Sequence, residues 1–431
     1  MQHRAVSSLQ TFPLIYRFEN VPTAYVAYLA KLFWPVNLAV IYPIPQRFYP
    51  LKVAMVVAAL ICISAATWLA RQRAPYLLIG WFWFLGTLVP VIGFIQVGGQ
   101  AMADRYSYIP SIGVFIMIVF GVSDLAARFH FPKTALVAVA AFVLTACVGL
   151  TEKQLSYWAG SETLFRHALA VTEDNDIAHI NLGAILEVDG KPDEAIAEGL
   201  AAEQIAPGNF EIHNNLGDCF NQLGQPEKAL PEYREAVRLN PNLAYIHHSL
   251  GTVLVELGRY DDALVEFTND MRLDPASPWS HFEMAKAMLK LGQDSAAIEE
   301  LHQVLQLTPD DIQTLTFTAH VLAAIDNPQV RDGKTALTLA AQASTLTGGE
   351  QVLVLAAVGM ADADTGDFTN AVAITKKALD LTTAADGEQL PDDQKKLQQQ
   401  TKRRLEEQLQ LYQNHQPWRE SFRDTNAPVK P

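Results

Sequence analysis

The chain has 431 residues, of which 50% are hydrophobic and 18% charged, and its formal net charge is −14. These averages are typical of an acidic soluble protein of about three domains, but they hide two different halves. Residues 1–150 carry ten basic and three acidic residues, whereas the rest of the chain carries 22 basic and 43 acidic residues. This pattern indicates a membrane part followed by an aqueous part, and the acidic surface argues against nucleic-acid binding.

The part of the chain up to Leu150 contains a series of apolar runs. Because about 20 apolar residues are needed to cross the hydrocarbon layer, we expect a helical transmembrane domain over residues 1–150. The predicted spans are 23–42, 51–70, 76–97, 109–127 and 134–150. The first of these contains Lys31, Pro35 and Asn37, so we expect it to be broken or tilted.

Basic residues in the short loops predict the orientation of these spans. With five spans, Arg71, Arg73, Arg128 and Lys133 lie in two loops on the same side as the N-terminus. Positive loops favour the cytoplasm, so everything after Leu150 is predicted to lie on the non-cytoplasmic side. The chain is therefore expected to be an integral membrane protein, of the cytoplasmic membrane if the cell is bacterial.

The second half of the chain is an internal repeat with a constant step. Four series of residues keep a period of 34, namely Gly183, Gly217, Gly251 and Ala285; Gly190, Gly224, Gly258 and Gly292; Ala195, Ala229, Ala263 and Ala297; and Pro207, Pro241, Pro275 and Pro309. The small residues let two antiparallel helices approach closely, the second glycine permits the turn between them, and the proline ends the second helix. A strict period of 34 with these residues is the signature of the tetratricopeptide repeat, or TPR.

The predicted fold is all-α, a polytopic helical membrane domain followed by a TPR α-solenoid. We expect a linker and half repeat at 151–175, four regular repeats at 176–311, two degenerate repeats at 312–385, and a capping helix and tail at 386–431. The sequence shows no nucleophile triad, phosphate loop or zinc signature, so no catalytic residue, metal ligand or cofactor is predicted.

Two sets of polar residues recur on the first helix of each repeat. The first set, which keeps the same period, is His179, His213, His247 and His281. Neighbouring helices lie about 8–10 Å apart whereas zinc needs its nitrogens within about 2.1 Å, so we interpret them as packed side chains and not as metal ligands.

Asn181, Asn215 and Ser249 occupy a second recurring slot. The two asparagines resemble the asparagine ladder in the TPR half of O-GlcNAc transferases, which implies a concave-face site for the main chain of a client peptide. An asparagine amide both donates and accepts hydrogen bonds, so such binding is chemically reasonable. The alternative interpretation is an exposed polar side chain that is typical of the repeat.

One segment of the membrane part, residues 96–113, contains a group of polar and aromatic residues on the predicted non-cytoplasmic side. Asp104 and Arg105 are suited to bind an anionic or polyol head group, with Tyr106 and Tyr108 stacking at the interface. Ionisable residues at a membrane boundary are costly unless they are paired or functional. The alternative is an ordinary interfacial loop with an aromatic belt.

Three segments resemble one family. The run Ala-Asp-Arg-Tyr-Ser-Tyr-Ile-Pro-Ser-Ile-Gly at 103–113, the stretch 25–42 with its Trp34-Pro35, and the junction 158–165 are similar to the transmembrane-and-TPR O-mannosyltransferases and their bacterial relatives. The resemblance covers nearly the whole chain. It implies a C-type glycosyltransferase that takes sugar from a polyprenyl phosphate and presents its repeats to protein acceptors outside the cytoplasm.

The same resemblance implies a longer membrane domain of about ten spans, with an essential acidic residue in its first extracytoplasmic loop. This chain has four or five predicted spans and no such loop, so the N-terminal catalytic part of the family is missing from it and we transfer no catalytic residue. Two functions remain open. The first is a membrane-anchored TPR module, not catalytic by itself, that binds a protein or peptide on its concave face and contacts membrane lipid. The alternative is part of an active O-glycosyltransferase that uses a polyprenyl-phosphate sugar.

Overall fold

The computed structural model describes residues 14–45, 49–93, 100–384 and 392–424, and helices dominate these ranges. The predicted all-α class is confirmed. The chain divides into two compact units, Met1–Leu223 and Gly224–Pro431. The division falls inside the repeat array and not near residue 150, where the composition changes. Since each repeat of a solenoid packs mainly on its neighbours, such an array can be divided between any two repeats.

The first unit begins with the apolar helices and ends with the first repeat helices. Its helices are α1 (Leu14–Phe33), α2 (Pro50–Ala70), α3 (Pro75–Leu88), α4 (Tyr108–Phe129), α5 (Lys133–Ser156), α6 (Ser161–Val171), α7 (Asp176–Val188), α8 (Pro192–Ile205) and α9 (Phe210–Gln222). Strand β1 (Tyr42–Pro43) pairs in antiparallel fashion with β2 (Gln100–Met102), and a 3-10 turn at Asp104–Ser107 leads into α4.

Within the described ranges, three helical segments are long and apolar enough to cross a membrane, Pro50–Ala70, Asp104–Phe129 and Lys133–Ser156. The other two predicted spans need correction. Instead of a span at 23–42, α1 begins at Leu14 and ends at Phe33, because Pro35 disfavours helix at the residue before it. Instead of extending over 76–97, α3 ends at Leu88 after 14 residues, and 94–97 lie outside the described residues.

Helices α3 and α4 form a closely packed antiparallel pair. Tyr76 near the start of α3 donates a hydrogen bond to Asp124 near the end of α4, at 2.8 Å. Midway along the pair, Gly80 and Gly113 bring the two backbones together, so that a Cβ atom on either glycine would lie 2.3 Å from the carbonyl oxygen of the other. Small residues at such a crossing are how membrane helices reach close contact.

The second unit contains the remaining repeats. Its helices are α10 (Pro226–Leu239), α11 (Ala244–Glu256), α12 (Tyr260–Leu273), α13 (Pro278–Lys290), α14 (Asp294–Leu307), α15 (Ile312–Ala324), α16 (Gly333–Leu346), α17 (Val352–Thr365), α18 (Phe368–Ala384) and α19 (Asp392–Gln413). Helix α19 lies where a polar stretch predicts the capping helix. Of the predicted tail, residues 425–431 lie outside the described residues.

The repeat glycines have the backbone geometry that the period of 34 predicts. Gly190, Gly224, Gly258 and Gly292 all have φ between 66° and 73°, the left-handed region that glycine adopts without steric cost. At the helix contacts, a Cβ atom on Gly251 would lie 2.5 Å from the Phe267 ring, so the small residue there makes room for the second helix of its own repeat.

Candidate functional site

Asp104, the acid of the predicted membrane-loop site, is half-buried at the start of the 3-10 turn. Its Oδ2 atom accepts a hydrogen bond from the Tyr42 hydroxyl at 2.9 Å. The Lys31 ammonium lies 5.0 Å from the centre of the Tyr42 ring and donates to the carbonyl of Asn37 at 2.6 Å. Asp104 is therefore held by a tyrosine from a distant part of the chain and not by its neighbour Arg105.

The other three predicted residues of this site, Arg105, Tyr106 and Tyr108, do not contact the Asp104 carboxylate through any hydrogen bond described for them. The Arg105 guanidinium lies 5.1 Å from the centre of the Tyr106 ring, and Tyr106 packs against the apolar core of the membrane part. Tyr108 is 76% exposed. The structure thus brings Asp104 together with Tyr42 and Lys31, which the sequence analysis did not select, because no local spacing links residues on separate elements.

Residues 34–43, which we call the docking segment, connect this site to the first repeat. The Ala39 amide donates to the Tyr42 hydroxyl at 2.8 Å, and that hydroxyl in turn donates to Asp104. Ala39 packs with Ala168 of α6 and Ala178 of α7 in one apolar cluster.

Polar contacts fasten the same segment to the repeat helices. The Leu38 carbonyl accepts from Gln154 of α5 at 3.3 Å and lies 3.1 Å from His167 Nε2 of α6. Asn175, which precedes α7, donates to the Ile41 carbonyl at 3.2 Å. Within the first unit, these hydrogen bonds therefore join the docking segment of the membrane part to the first repeat.

The predicted peptide-binding residues lie on first helices of the repeats, where they are half-buried. The Asn181 amide donates to the Ile177 carbonyl of its own helix at 2.7 Å. Asn215 lines a cavity of about 10 Å³, which has room for no more than about one water molecule. Ser249 lies on α11. Their role as peptide contacts stays a prediction.

Three of the recurring histidines contact a glutamate on the second helix of their own repeat. His179 Nδ1 lies 2.6 Å from Glu198 Oε2, and the pairs His247–Glu266 and His281–Glu300 have the same separation. Each of these pairs joins the two helices of one repeat. The histidine period therefore reflects how the two helices are held together.

A larger groove lies in the second unit, on the face formed by the first helices α13, α15 and α17 and by α19. Its volume is about 670 Å³, and Phe282, Phe317 and Leu353 contribute apolar walls. Polar residues of the groove are Lys286, Asp311, Gln313, Thr316, His320, Gln351, Thr401, Arg404 and Gln408.

One groove residue carries an unused hydrogen-bonding atom. Gln408 is 1% exposed, and among the described residues its Oε1 atom has no hydrogen-bond partner. Such an atom is costly to bury unless a ligand supplies a donor. No sequence signal marked this groove, because apart from α13 it is formed by the degenerate repeats and the capping helix, where the period of 34 is lost.

Comparisons with known proteins agree with the repeat assignment. Two models described as "Tetratricopeptide repeat" match residues 154–210 and 254–320, and one described as "TPR repeat" matches 217–258. Among solved structures, PilF of Pseudomonas aeruginosa is 20% identical, with a TM-score of 0.42, over 50% of this chain and 94% of that chain.

Among curated proteins, the chain is similar to the protein O-mannosyl-transferase TMTC1 of Mus musculus, with 29% identity over 42% of this chain and 18% of the relative. It is also similar to the protein O-mannosyl-transferase Tmtc2 of Drosophila melanogaster, with 25% identity over 29% of this chain and 13% of the relative. The chain thus matches less than a fifth of the length of these relatives. It carries tetratricopeptide repeats, as the period of 34 predicts, and over part of its length it is homologous to the TMTC protein O-mannosyl-transferases.

Proposed function

We propose that the chain is a membrane-anchored protein-interaction module that binds an extended polypeptide segment in the groove of α13, α15, α17 and α19. TPR solenoids present extended concave surfaces of this kind to their partners. The observation that carries the proposal is the buried Gln408 carbonyl oxygen, which belongs to a residue lining a groove of about 670 Å³ and lacks a donor among the described residues.

The chemistry of the groove suits a main chain with an apolar side chain. Phe282, Phe317 and Leu353 favour burial of an apolar group. Gln313, Thr316 and Gln351 offer both donors and acceptors, which the alternating N–H and C=O groups of an extended peptide can use. A peptide N–H would supply the donor that Gln408 lacks. Separately from this groove, Asn181, Asn215 and Ser249 are proposed as contacts to a peptide main chain within their own repeats.

We predict that Gln408→Met weakens peptide binding about tenfold, since one hydrogen bond to a buried acceptor contributes about 1–1.5 kcal/mol. The probes are dodecapeptides enriched from a random library on the full chain in lipid nanodiscs. Gln410→Met is the matched control, because Gln410 is exposed on the same helix. Enrichment no better than on empty nanodiscs, or equal affinity for the two variants, would contradict the proposal.

A second function, the acceptor platform of a protein O-mannosyltransferase, has its own support. The chain is homologous to part of such enzymes, and the docking segment joins the membrane loop at Asp104 to the first repeat. Under this proposal the lipid partner is a polyprenyl-phosphate sugar. The enriched peptides separate the two functions, since only an acceptor platform would need hydroxyl-bearing residues among them.

We further propose that the repeats lie on the non-cytoplasmic side. The antiparallel pairing of α3 and α4 supports this orientation, because it brings the start of α3 to the end of α4. Arg71 and Arg73 precede α3. Arg128 lies in the last turn of α4, and Lys133 begins the next helix. All four basic residues therefore belong to the same end of the helix pair, which positive charge favours on the cytoplasmic side.

The orientation predicts opposite labelling of two exposed positions. A membrane-impermeant maleimide should label Gln222→Cys in intact cells or spheroplasts, whereas Gln72→Cys should react only after permeabilisation. Native Cys219 gives little background, because burial and the charges of Glu187 and Asp218 raise the pKa of its thiol to about 12. Cys62 and Cys147 are replaced by serine in both variants. The reverse labelling pattern would place the repeats in the cytoplasm.

A further inference from the structure

The chain after α19 returns along the repeats as an extended segment. Residues 418–424, which we call the C-terminal strap, follow a turn in which His415 has a φ of 56°. The Glu420 amide donates to the Ala324 carbonyl, and the Asp424 amide donates to the Lys290 carbonyl, both at 2.9 Å. Ala324 and Lys290 are the last residues of α15 and α13, one repeat period apart. The strap therefore donates hydrogen bonds to equivalent carbonyl groups in two successive repeats.

A further backbone contact gives the strap the character of an added strand. The Asp326 amide donates to the Glu420 carbonyl at 3.1 Å, so Glu420 is paired through both its N–H and its C=O. At the far end of the strap, the Tyr260 hydroxyl donates to Asp424 Oδ2 at 2.8 Å. Main-chain pairing of this type is how many proteins bind extended peptides without regard to most side chains.

Selectivity comes from the Glu420 carboxylate. Its oxygens accept hydrogen bonds from Arg404 Nη2 at 2.7 and 2.9 Å, from Trp418 Nε1 at 3.2 Å and from the His320 ring. Burial by itself would raise the pKa of this carboxyl, but the hydrogen bond and charge of His320, with the charge of Arg404, outweigh it and lower the pKa to about 2. The site is therefore built for an ionised carboxylate.

Aromatic side chains lie on both sides of this carboxylate. The Arg404 guanidinium lies 5.6 Å from the centre of the Trp418 ring, and the Phe422 ring meets the His320 ring edge to face at 5.3 Å. Arg419 pairs with Asp364 and donates to the Ala323 carbonyl at 2.9 Å. The strap thus presents an aromatic residue two positions before and two positions after its glutamate.

We propose that the edge formed by the ends of α13 and α15, with Arg404 of α19, is a peptide-binding site that the strap fills in cis. The external partner that fits it is an extended segment with the same pattern, a carboxylate with an aromatic residue two positions away on each side. Such a partner binds by displacing the strap. This edge site is distinct from the groove of the proposed function. His320 and Arg404 belong to both, since they also line the groove. Displacement of the strap would therefore free both side chains to face the groove.

The test uses a fluorescein-labelled peptide with the sequence of residues 417–424 and the otherwise full chain, ended after Gln416, in lipid nanodiscs. We expect the peptide to bind this shortened chain at least tenfold more tightly than the intact chain. Replacing glutamate by lysine in the peptide should abolish binding. A folded shortened chain, judged by its thermal unfolding, that does not bind the peptide would overturn the proposal, as would equal affinity for both chains.

Two matched variants identify the site. Arg404→Ala in the shortened chain should weaken binding at least tenfold, whereas Arg403→Ala should not, because Arg403 is 82% exposed and pairs with Glu407. Equal effects of the two substitutions would overturn the assignment. Should the shortened chain fail to fold, the full-length double variant Arg419→Gln and Glu420→Gln takes its place. That variant should also bind the peptide at least tenfold more tightly than the intact chain, and unchanged affinity would contradict the proposal.

Discussion

Gly80→Ala is expected to destabilise the membrane part by about 2–3 kcal/mol, whereas Gly86→Ala in the same helix should not. The added Cβ atom at position 80 would lie 2.3 Å from the Gly113 carbonyl oxygen and 2.5 Å from the Met117 side chain. A carbonyl of the facing backbone cannot rotate away, so α3 and α4 must separate. Gly86 is exposed, with nothing within 4 Å of its Cβ position, and alanine there should stabilise the helix by up to about 1 kcal/mol.

Thermal unfolding of the two variants in nanodiscs, followed by far-UV circular dichroism and by the accessibility of a cysteine introduced into α4, measures this difference. The Gly80 variant should melt several degrees below the wild type, and the Gly86 variant at or above it. Equal melting temperatures for wild type and Gly80→Ala would show that the two backbones do not approach as closely as described.

Asn175→Ala should destabilise the first unit by about 2–4 kcal/mol, more than the loss of a helix cap alone. Asn175 is 1% exposed, and its Oδ1 atom accepts from the Ala178 amide at 3.0 Å while its amide donates to the Ile41 carbonyl. Loss of the cap costs about 1 kcal/mol. Leaving the buried partner groups without hydrogen bonds adds about 1–3 kcal/mol.

Asn209→Ala is the matched control, because Asn209 caps α9 through the Glu211 amide at 3.0 Å. It should cost about 1 kcal/mol. Hydrogen exchange in the docking segment distinguishes the two roles, since only Asn175→Ala should accelerate it. If both variants lose the same stability and exchange in residues 34–43 is unchanged, Asn175 does not hold the docking segment.

The repeat helices and their turns could be predicted because the same turn glycine occurs at the equivalent position of four repeats. Each turn glycine needs a left-handed backbone, and the period of 34 exposes this need without reference to tertiary structure. The extent of α1 could not be predicted from hydropathy. Its buried side chains, among them Tyr25 and Tyr28, pack in one cluster with residues of α3, so apolar character alone did not distinguish a helix in the protein core from one in lipid.

The polar contacts of the candidate sites were beyond sequence reasoning for a different reason. Tyr42 and Asp104 are 62 residues apart, and His320 and Glu420 are 100 residues apart, so neither pair has a recurring spacing. Asn181 makes a local contact that the period of 34 does not predict. Its amide is used by its own helix, a competition that short polar side chains commonly show, and the repeat pattern cannot reveal it.

If α5 crosses the membrane as proposed, its unbroken helix would set the height of the first repeat above the bilayer. With α5 across the hydrocarbon, its last part, from Leu150 to Ser156, would rise by about 9 Å, slightly more than the depth of one headgroup layer, which is about 5–8 Å. The Leu38 carbonyl holds Gln154 there, and α6 begins at Ser161, soon after α5 ends. Under the proposed orientation, the first repeat would begin just outside the headgroups, so its encounters with a lipid-tethered molecule would take place by diffusion in two dimensions along the membrane surface.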